Sequence, residues 1–413
     1  MVTCIIDKIK VIKKGSTMKA IKLLNTILND RCTTIHKVRQ QALLTAVEAG
    51  VRHRRVSVTG LGRSLKSLSK TQTKHDIKRM DRLIGNSHLH QERIEIYSSY
   101  AHLLINGERY PVLLVDWSAI EGRENFQMLR AAIPMGGRAL TIYEKTYPES
   151  KVGSAVAHQE LLSALTEILP EDCQPILVTD AGFRAPWFRD IEAKGWYWLS
   201  RVLGRINLSL DGDNWGRPET FFSKATNNAQ SLGEVLFTKS SHLRCQGTLY
   251  QEPMKGRQKR KKRGGKSNCA MSTKHRKKAN EPWFLISHLP EHLKEPDIVV
   301  RLYKTRMQIE EGFRDTKNHQ FGIGLSMARS TTAQRYDNLL LISSLILFVL
   351  WCIGKVAYQH GYHRLLQANT VSERAVLSYI YIAIQIIDDD RYPINNDYLR
   401  ITMNSLNKMA RIP

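Results

Sequence analysis

The chain has 413 residues, 42% hydrophobic and 8% aromatic, and carries 62 Lys+Arg against 38 Asp+Glu, a formal net charge of +24. This composition excludes a disordered chain and leaves room for roughly two or three domains around a sizeable core. The positive excess selects an acidic partner, of which nucleic acid is the commonest.

The first residues, MVTCIIDKIKVIKKGSTMKA, place Lys8, Lys10, Lys13 and Lys14 where a secretory signal needs an apolar run, and Met18 is a second candidate start. The six cysteines (Cys4, Cys32, Cys173, Cys245, Cys269 and Cys352) form no C-x-x-C pair. That excludes a disulfide scaffold, argues against a zinc ribbon and fits a reducing cytosol. Residues 1–100 hold 20 Lys/Arg against 7 Asp/Glu. Helical patterning begins near residue 19, and SVTGLGRSLKSLSKTQTKHDIKRMDRLIGN reads as helix, turn, helix. In its second helix Ile77, Met80 and Ile84 share one face, while Lys74, Lys78 and Arg82 share another. An apolar stripe beside a basic one suits a recognition helix docked on DNA and equally an ordinary amphipathic surface helix.

From residue 110 the pattern changes to strands. YPVLLVDWS is an apolar run ending at Asp116, and NFQMLRAAIP and RALTIYEKTYP follow across the turn MGG. HQELLSALTEILP is a helix, PILVTDAGF a buried strand ending at Asp180, APWFRDIEAKG a helix closed by Gly195, and WYWLSRVLG a further strand. A meander followed by alternating helices and strands predicts a mixed α/β sheet. Residues 205–282 break this rhythm and read as a β-rich insertion. Within them Lys255 to Lys278 holds 12 Lys/Arg in 24 residues and no acid, a density suited to a loop that grips phosphates and equally to a solvated charge run. EPWFLISHL resumes a strand at Trp283, and Pro296 to about Phe313 reads as one long helix. Residues 331–413 look helical, and the 15-residue apolar run Leu339 to Ile353 is too short for a membrane span of about 20 residues, so it is expected as a buried helix. The expected organisation is a helical N-terminal DNA-binding region (1–105), a first core part (106–204), the basic insertion (205–282), a second core part (283–330) and a helical C-terminal region (331–413).

Asp is depleted in strands, so an Asp closing an apolar run either starts a turn or serves a function. On the helix expected over YKTRMQIEEGFRDTK, Tyr303, Arg306, Glu310 and Lys317 fall within one arc of about 60°, whereas Glu311 points elsewhere. An i,i+4 pair such as Arg306 and Glu310 would also form on any helix surface. Asp116, Asp180 and Glu310, with Arg and Lys beside them, suit a two-metal phosphoryl-transfer site, because Mg²⁺ prefers carboxylate oxygen.

The run Tyr303-x2-Arg306-x3-Glu310-x6-Lys317 resembles the Y-x2-R-x3-E-x6-K signature of bacterial insertion-sequence DDE transposases, most closely the cut-and-paste group that works through a hairpin intermediate. VLLVDWS, LVTDAGF, KHDIKRMDRLIGN and GWYWLSRV look similar to segments of that group, and the resemblance covers roughly residues 40–370. It implies a ribonuclease-H-like core with Asp116, Asp180 and Glu310 as the catalytic metal-binding triad for two Mg²⁺ ions, Mn²⁺ substituting. It implies a β-strand insertion before the Glu helix, and phosphate contacts from Tyr303, Arg306 and Lys317. Trp283 looks like the family's tryptophan that stacks on a flipped base, though a strand tryptophan is equally often core. The implied activity is binding of terminal inverted repeats, excision and joining of 3′-OH ends to target DNA, by a homodimer on double-stranded DNA in the cytoplasm, with no membrane partner. The competing readings are a stand-alone nuclease on the same core and a domesticated or inactive transposase used as a DNA-binding protein.

Overall fold

The computed structural model describes residues 20–121, 125–253, 281–368, 370–371, 373–387, 389, 391–394 and 396–409. The basic run 255–278 lies outside the described residues. In chain order the elements begin with helix α1 over 20–31, α2 (Lys37–His53), α3 (Val58–Ser64), α4 (Thr73–Ile84) and α5 (Ser87–Ile105). Strands β1 (Val112–Ile120), β2 (Phe126–Pro134) and β3 (Ala139–Pro148) precede α6 (Ala155–Ile168), β4 (Ile176–Thr179), α7 (Ala185–Glu192) and β5 (Tyr197–Val202). Strands β6 (Leu208–Ser209), β7 (Gln230–Phe237), β8 (Leu243–Tyr250) and β9 (Trp283–His288) follow. The chain then forms α8 (Pro296–Lys304), α9 (Met307–Lys317), α10 (Ala333–Gln359), α11 (Tyr362–Leu366), α12 (Tyr379–Ile386), α13 (Asn396–Asn404) and α14 (Leu406–Met409). These elements divide into two compact units, one built up to Cys173 and again from Met307, the other Gln174–Arg306. The cuts lie at 173 and 306, where composition marked 105, 204, 282 and 330.

The first unit is organised by α10. Its apolar sequence is buried over 94% of the most hydrophobic window, and β3, α2, α5, α12 and α13 pack around it. The run Leu339 to Ile353 is therefore an interior helix of this unit. The two serines within it are satisfied locally: Ser343 Oγ donates to the Leu339 carbonyl (2.7 Å) and Ser344 Oγ to that of Leu341 (2.8 Å). At the start of α10, buried Asp337 accepts from the Thr146 amide (2.7 Å) on β3, from His90 Nε2 (2.9 Å) and from Arg93 on α5. Asn338 donates to the carbonyls of Ile84 (2.9 Å) and Asn86 (3.1 Å), satisfying the end of α4. The N-terminal helices thus share a core with the strands.

Strands β1, β2 and β3 form an antiparallel meander in which Asp116 pairs with Arg130 and Arg130 with Glu144. The β2–β3 turn needs Gly136 (φ +61°) and Gly137 (φ +89°), because both backbones are left-handed.

The second unit is a mixed sheet in the order β4-β5-β9-β8-β7-β6. Among its described strands only β4 and β5 run parallel to one another. Helices α7 and α8 pack on it, with Phe188 stacked on Trp198 at 4.1 Å. Strands β6, β7 and β8 come from the stretch read as an insertion and pair onward from β9. The helix expected from Pro296 to Phe313 is broken. Residues Thr305 and Arg306 form a turn whose amides reach back three residues, to Leu302 (3.2 Å) and Tyr303 (3.0 Å). Thr305 Oγ1 also donates to the Leu302 carbonyl (2.6 Å), so the hydroxyl competes for an acceptor that a continuing helix would use.

Candidate active site

Asp116 does not end its strand, as the apolar run implied; it is the fifth residue of β1, which continues to Ile120. Its position still suits chemistry, because burial lapses there: residues 112–115 are buried, and Asp116, Trp117 and Ser118 are half-exposed. Asp116 Oδ1 accepts from the Trp117 amide at 2.8 Å. Glu310, exposed in the first turn of α9, lines the same cleft of about 560 Å³, together with Lys317, Glu121, Arg314 and His319. Lys317 is fixed there by donating to Ser118 Oγ (3.0 Å), two residues along β1 from Asp116, and to the Ala119 carbonyl (3.3 Å). Burial pushes its ammonium below the ordinary lysine value; Glu121 pulls it back and Arg130 pushes it further down. Glu311 faces away and pairs with Arg138 and Arg314. Helix α9 is clasped on that side by the β2–β3 turn: Gln308 Oε1 accepts from the Met135 and Gly137 amides (3.1 Å each), and Arg138 Nε donates to Asp315 (2.6 Å).

The structure therefore brings Asp116, Glu310 and Lys317 into one cleft of the first unit. Asp180, Trp283, Tyr303 and Arg306 belong to the second unit. The division between the units falls directly after Arg306, so Tyr303 and Arg306 are described with the second unit and Glu310 and Lys317 with the first.

Asp180 directly follows β4, as the apolar run ILVTD predicts. Its Oδ1 accepts from the Gly182 amide (2.8 Å), and Ser200 Oγ on β5 donates to its carbonyl (2.9 Å). A Cβ at Gly182 would stand 2.9 Å from that Oδ1, so a side chain there would push the Asp180 carboxylate out of this position. Tyr303 is buried, and burial pushes its phenol up to about 12 against the pull of Arg306 and Arg201, with Asp180 adding to the rise. Trp283 is half-buried, edge-on to Tyr250 (5.6 Å) and Tyr303 (5.2 Å). It is thus packed by its neighbours while keeping part of its surface open. Sequence reasoning missed Arg201, whose guanidinium lies 5.9 Å over the Trp283 ring. Its terminal nitrogen donates to the Pro282 carbonyl (3.2 Å), its Nε is buried without a hydrogen-bond partner among the described residues, and burial lowers its pKa. The signal was present in WYWLSRV, where a lone arginine interrupts a β-rich run.

In the N-terminal helices Lys74, Lys78 and Arg82 are all exposed, while Met80, Leu83 and Ile84 are buried. Buried Asp76 holds the preceding turn by accepting from Ser69 (2.9 Å) and Thr71 (2.6 Å). Helices α3 and α4 meet closely at Gly62, where a Cβ would come within 2.5 Å of Ile77 Cα.

The family model described as "Transposase DDE domain" matches residues 107–347, more than half of the chain, and the chain belongs to that family. It is a transposase, an enzyme acting on DNA, and its mixed α/β architecture fits a ribonuclease-H-like transposase core. No match was found among curated proteins. DDE transposases generally use divalent metal ions. Among the described residues no group of three or more His, Cys, Asp and Glu is placed to hold an ion. The cleft itself offers the carboxylates of Asp116 and Glu310, with Glu121 also lining it. Hard oxygen donors of this kind fit a hard divalent cation that keeps part of its water shell.

Proposed function

We propose that this transposase excises its element by a cut-and-paste reaction that passes through a DNA hairpin and then joins the 3′-OH ends to target DNA. The observation that carries the reading is the cleft in which Asp116 on β1 and Glu310 on α9 flank Lys317, itself pinned to Ser118. Asp116, Glu310 and, from the second unit, Asp180 are the proposed ligands of two divalent ions, Mg²⁺ in the cell and Mn²⁺ as a substitute. Bound ions would polarise the phosphodiester and lower the pKa of the attacking water.

The chain's own groups do the rest. Lys317, held by two hydrogen bonds and partly desolvated, presents its ammonium to a phosphate without reorganising first. Arg306, Arg201 and Tyr303 supply cationic and hydroxyl contacts to the DNA backbone, and the open part of Trp283 offers a stacking surface that suits any base. Lys74, Lys78 and Arg82 on α4 bind phosphates at the terminal repeat. One carboxylate set serves nicking, hairpin formation, hairpin opening and strand transfer, because each is an in-line attack on a phosphodiester by a different oxygen nucleophile. Two protomers pair the two ends.

The test is cleavage of an end-bearing duplex with Mg²⁺, resolved on a denaturing gel. A nick followed by a hairpin supports the reading; a nick that never converts to a hairpin points to a nuclease on the same core. Binding with no cleavage at all points to a DNA-binding role.

A further inference from the structure

Arg130 is the one charged residue of β2, in the middle of the strand, and it is 1% exposed. It is the direct cross-strand neighbour of Asp116 on one side and of Glu144 on the other, so the three side chains share one face of the meander. Its Nε donates to Glu144 Oε2 at 2.8 Å, and Glu144 is fully buried. The same edge reaches out of the sheet to α9: Nη2, 2.7 Å from Glu144 Oε2, also donates to Thr316 Oγ1 at 3.0 Å, and the guanidinium lies 4.7 Å from the centre of the Phe313 ring. Thr316 Oγ1 in turn donates to the Gly312 carbonyl at 2.9 Å, so the contact is tied into the helix backbone. At Gly312 the helix lies close to the meander: a Cβ there would stand in ordinary contact with Arg130 Nη1 (3.6 Å) and the Ala139 carbonyl (3.4 Å).

We propose that Arg130 is a positioning residue for catalysis, docking α9 onto the meander so that Glu310 and Lys317 stand at working distance from Asp116. The inference rests on the reading that Asp116 and Glu310 act together. A planar fork suits this task. Its Nε–Nη2 edge is fixed by the buried carboxylate of Glu144, and Nη2 on that edge bridges the carboxylate to Thr316 on the helix with little freedom. Glu310 precedes Gly312 by two residues and Lys317 follows Thr316 by one, so the docking contacts at Gly312, Phe313 and Thr316 lie between the two functional groups. A shift of α9 along the sheet would therefore move both against Asp116. A displacement of about 1 Å is enough to cost on the order of 10²-fold in rate.

The test uses the full-length protein and three variants. Thr316→Val removes only the helix arm; Arg130→Met with Glu144→Leu replaces the buried pair by apolar groups of similar size, which buried pairs often tolerate; Asp116→Asn is the control. Single-turnover nicking of an end-bearing duplex gives kcat and KM, and Mn²⁺ binding to the DNA-free protein is followed by electron paramagnetic resonance. The expected result is a fall in kcat of about 10-fold or more for the double variant, with a smaller fall for Thr316→Val. KM for DNA should stay within about twofold, and Mn²⁺ binding should weaken in parallel with kcat. If the folded fraction of both variants nicks and binds Mn²⁺ as the wild type does, the pair only stabilises the fold and the proposal is overturned. It is likewise overturned if KM rises while kcat holds. Full nicking by Asp116→Asn would instead refute the underlying site reading, so the two failures are distinguishable.

Discussion

Replacing Asp337 by Ala should destabilise the first unit more than any surface change, and the size of the effect follows from what the carboxylate holds. Asp337 is 2% exposed and joins three elements: β3 through the Thr146 amide, and α5 through both His90 and Arg93. Its removal strands the guanidinium of Arg93, itself 3% exposed, and leaves the Thr146 N–H without this acceptor. Breaking a buried pair from one side costs about 3–5 kcal/mol, and an orphaned buried amide about 1–3 kcal/mol; the two overlap, so about 4 kcal/mol is a fair expectation. Against a total stability of about 5–15 kcal/mol this is large. At roughly 2–4 °C per kcal/mol it lowers Tm by about 8–16 °C. The effect depends on pH with a definite sign. Burial opposes ionisation of Asp337, but Arg93, His90 and the Thr146 amide together hold its carboxyl below the usual Asp value. A depressed carboxyl contributes stability that is present above the unfolded pKa of about 3.9 and is lost as pH falls through the folded value. Denaturant unfolding followed by circular dichroism should therefore show a gap between wild type and Asp337→Ala that is full at pH 7 and narrows below about pH 4. A loss under about 1 kcal/mol at pH 7, or a gap independent of pH, would refute the reasoning.

Three further outcomes are expected. Gly62→Ala pushes a methyl group to within 2.5 Å of Ile77 Cα, so α3 and α4 must separate; Tm and affinity for the terminal repeat should fall together, and unchanged end binding would detach this helix pair from recognition. Changing Lys74, Lys78 and Arg82 together to Ala should flatten the dependence of log K on log salt by about 2–3, at about 0.9 per phosphate lost, which a salt titration of end binding reads directly. Lys317→Met keeps the length of the side chain but removes the ammonium that Ser118 and Ala119 hold. Single-turnover cleavage should slow on the order of 10²-fold, as when one preorganised donor is lost, with no loss of thermal stability.

Much of the framework was legible because it follows from periodicity. The apolar runs at 112–115 and 176–179 became β1 and β4, the turn glycines 136 and 137 ended the second strand, and the spacing in residues 58–84 became α3 and α4. The break at Thr305 was not legible, because helical spacing continues across it; only a hydroxyl hydrogen bond and two short-range amide contacts show it. Nor did spacing along the chain reveal that Tyr303 and Arg306 fall in a different compact unit from Glu310 and Lys317. Arg130 escaped notice for a related reason. An arginine inside NFQMLRAAIP reads as a solvent-facing position of an alternating strand. Its partners Glu144 and Thr316 lie 14 and 186 residues away, and only cross-strand register and helix docking bring them to it.

Asp116, Asp180 and Glu310 are proposed to carry the phosphodiester chemistry while separate groups bind the DNA. The most direct measurement compares wild type with Asp116→Asn, Asp180→Asn and Glu310→Gln on one labelled end-bearing duplex with Mg²⁺, following binding by gel shift and cleavage on a denaturing gel. End binding is expected from all four proteins, and a nick and hairpin from the wild type alone. Cleavage at the wild-type rate by any of the three variants would contradict the proposal.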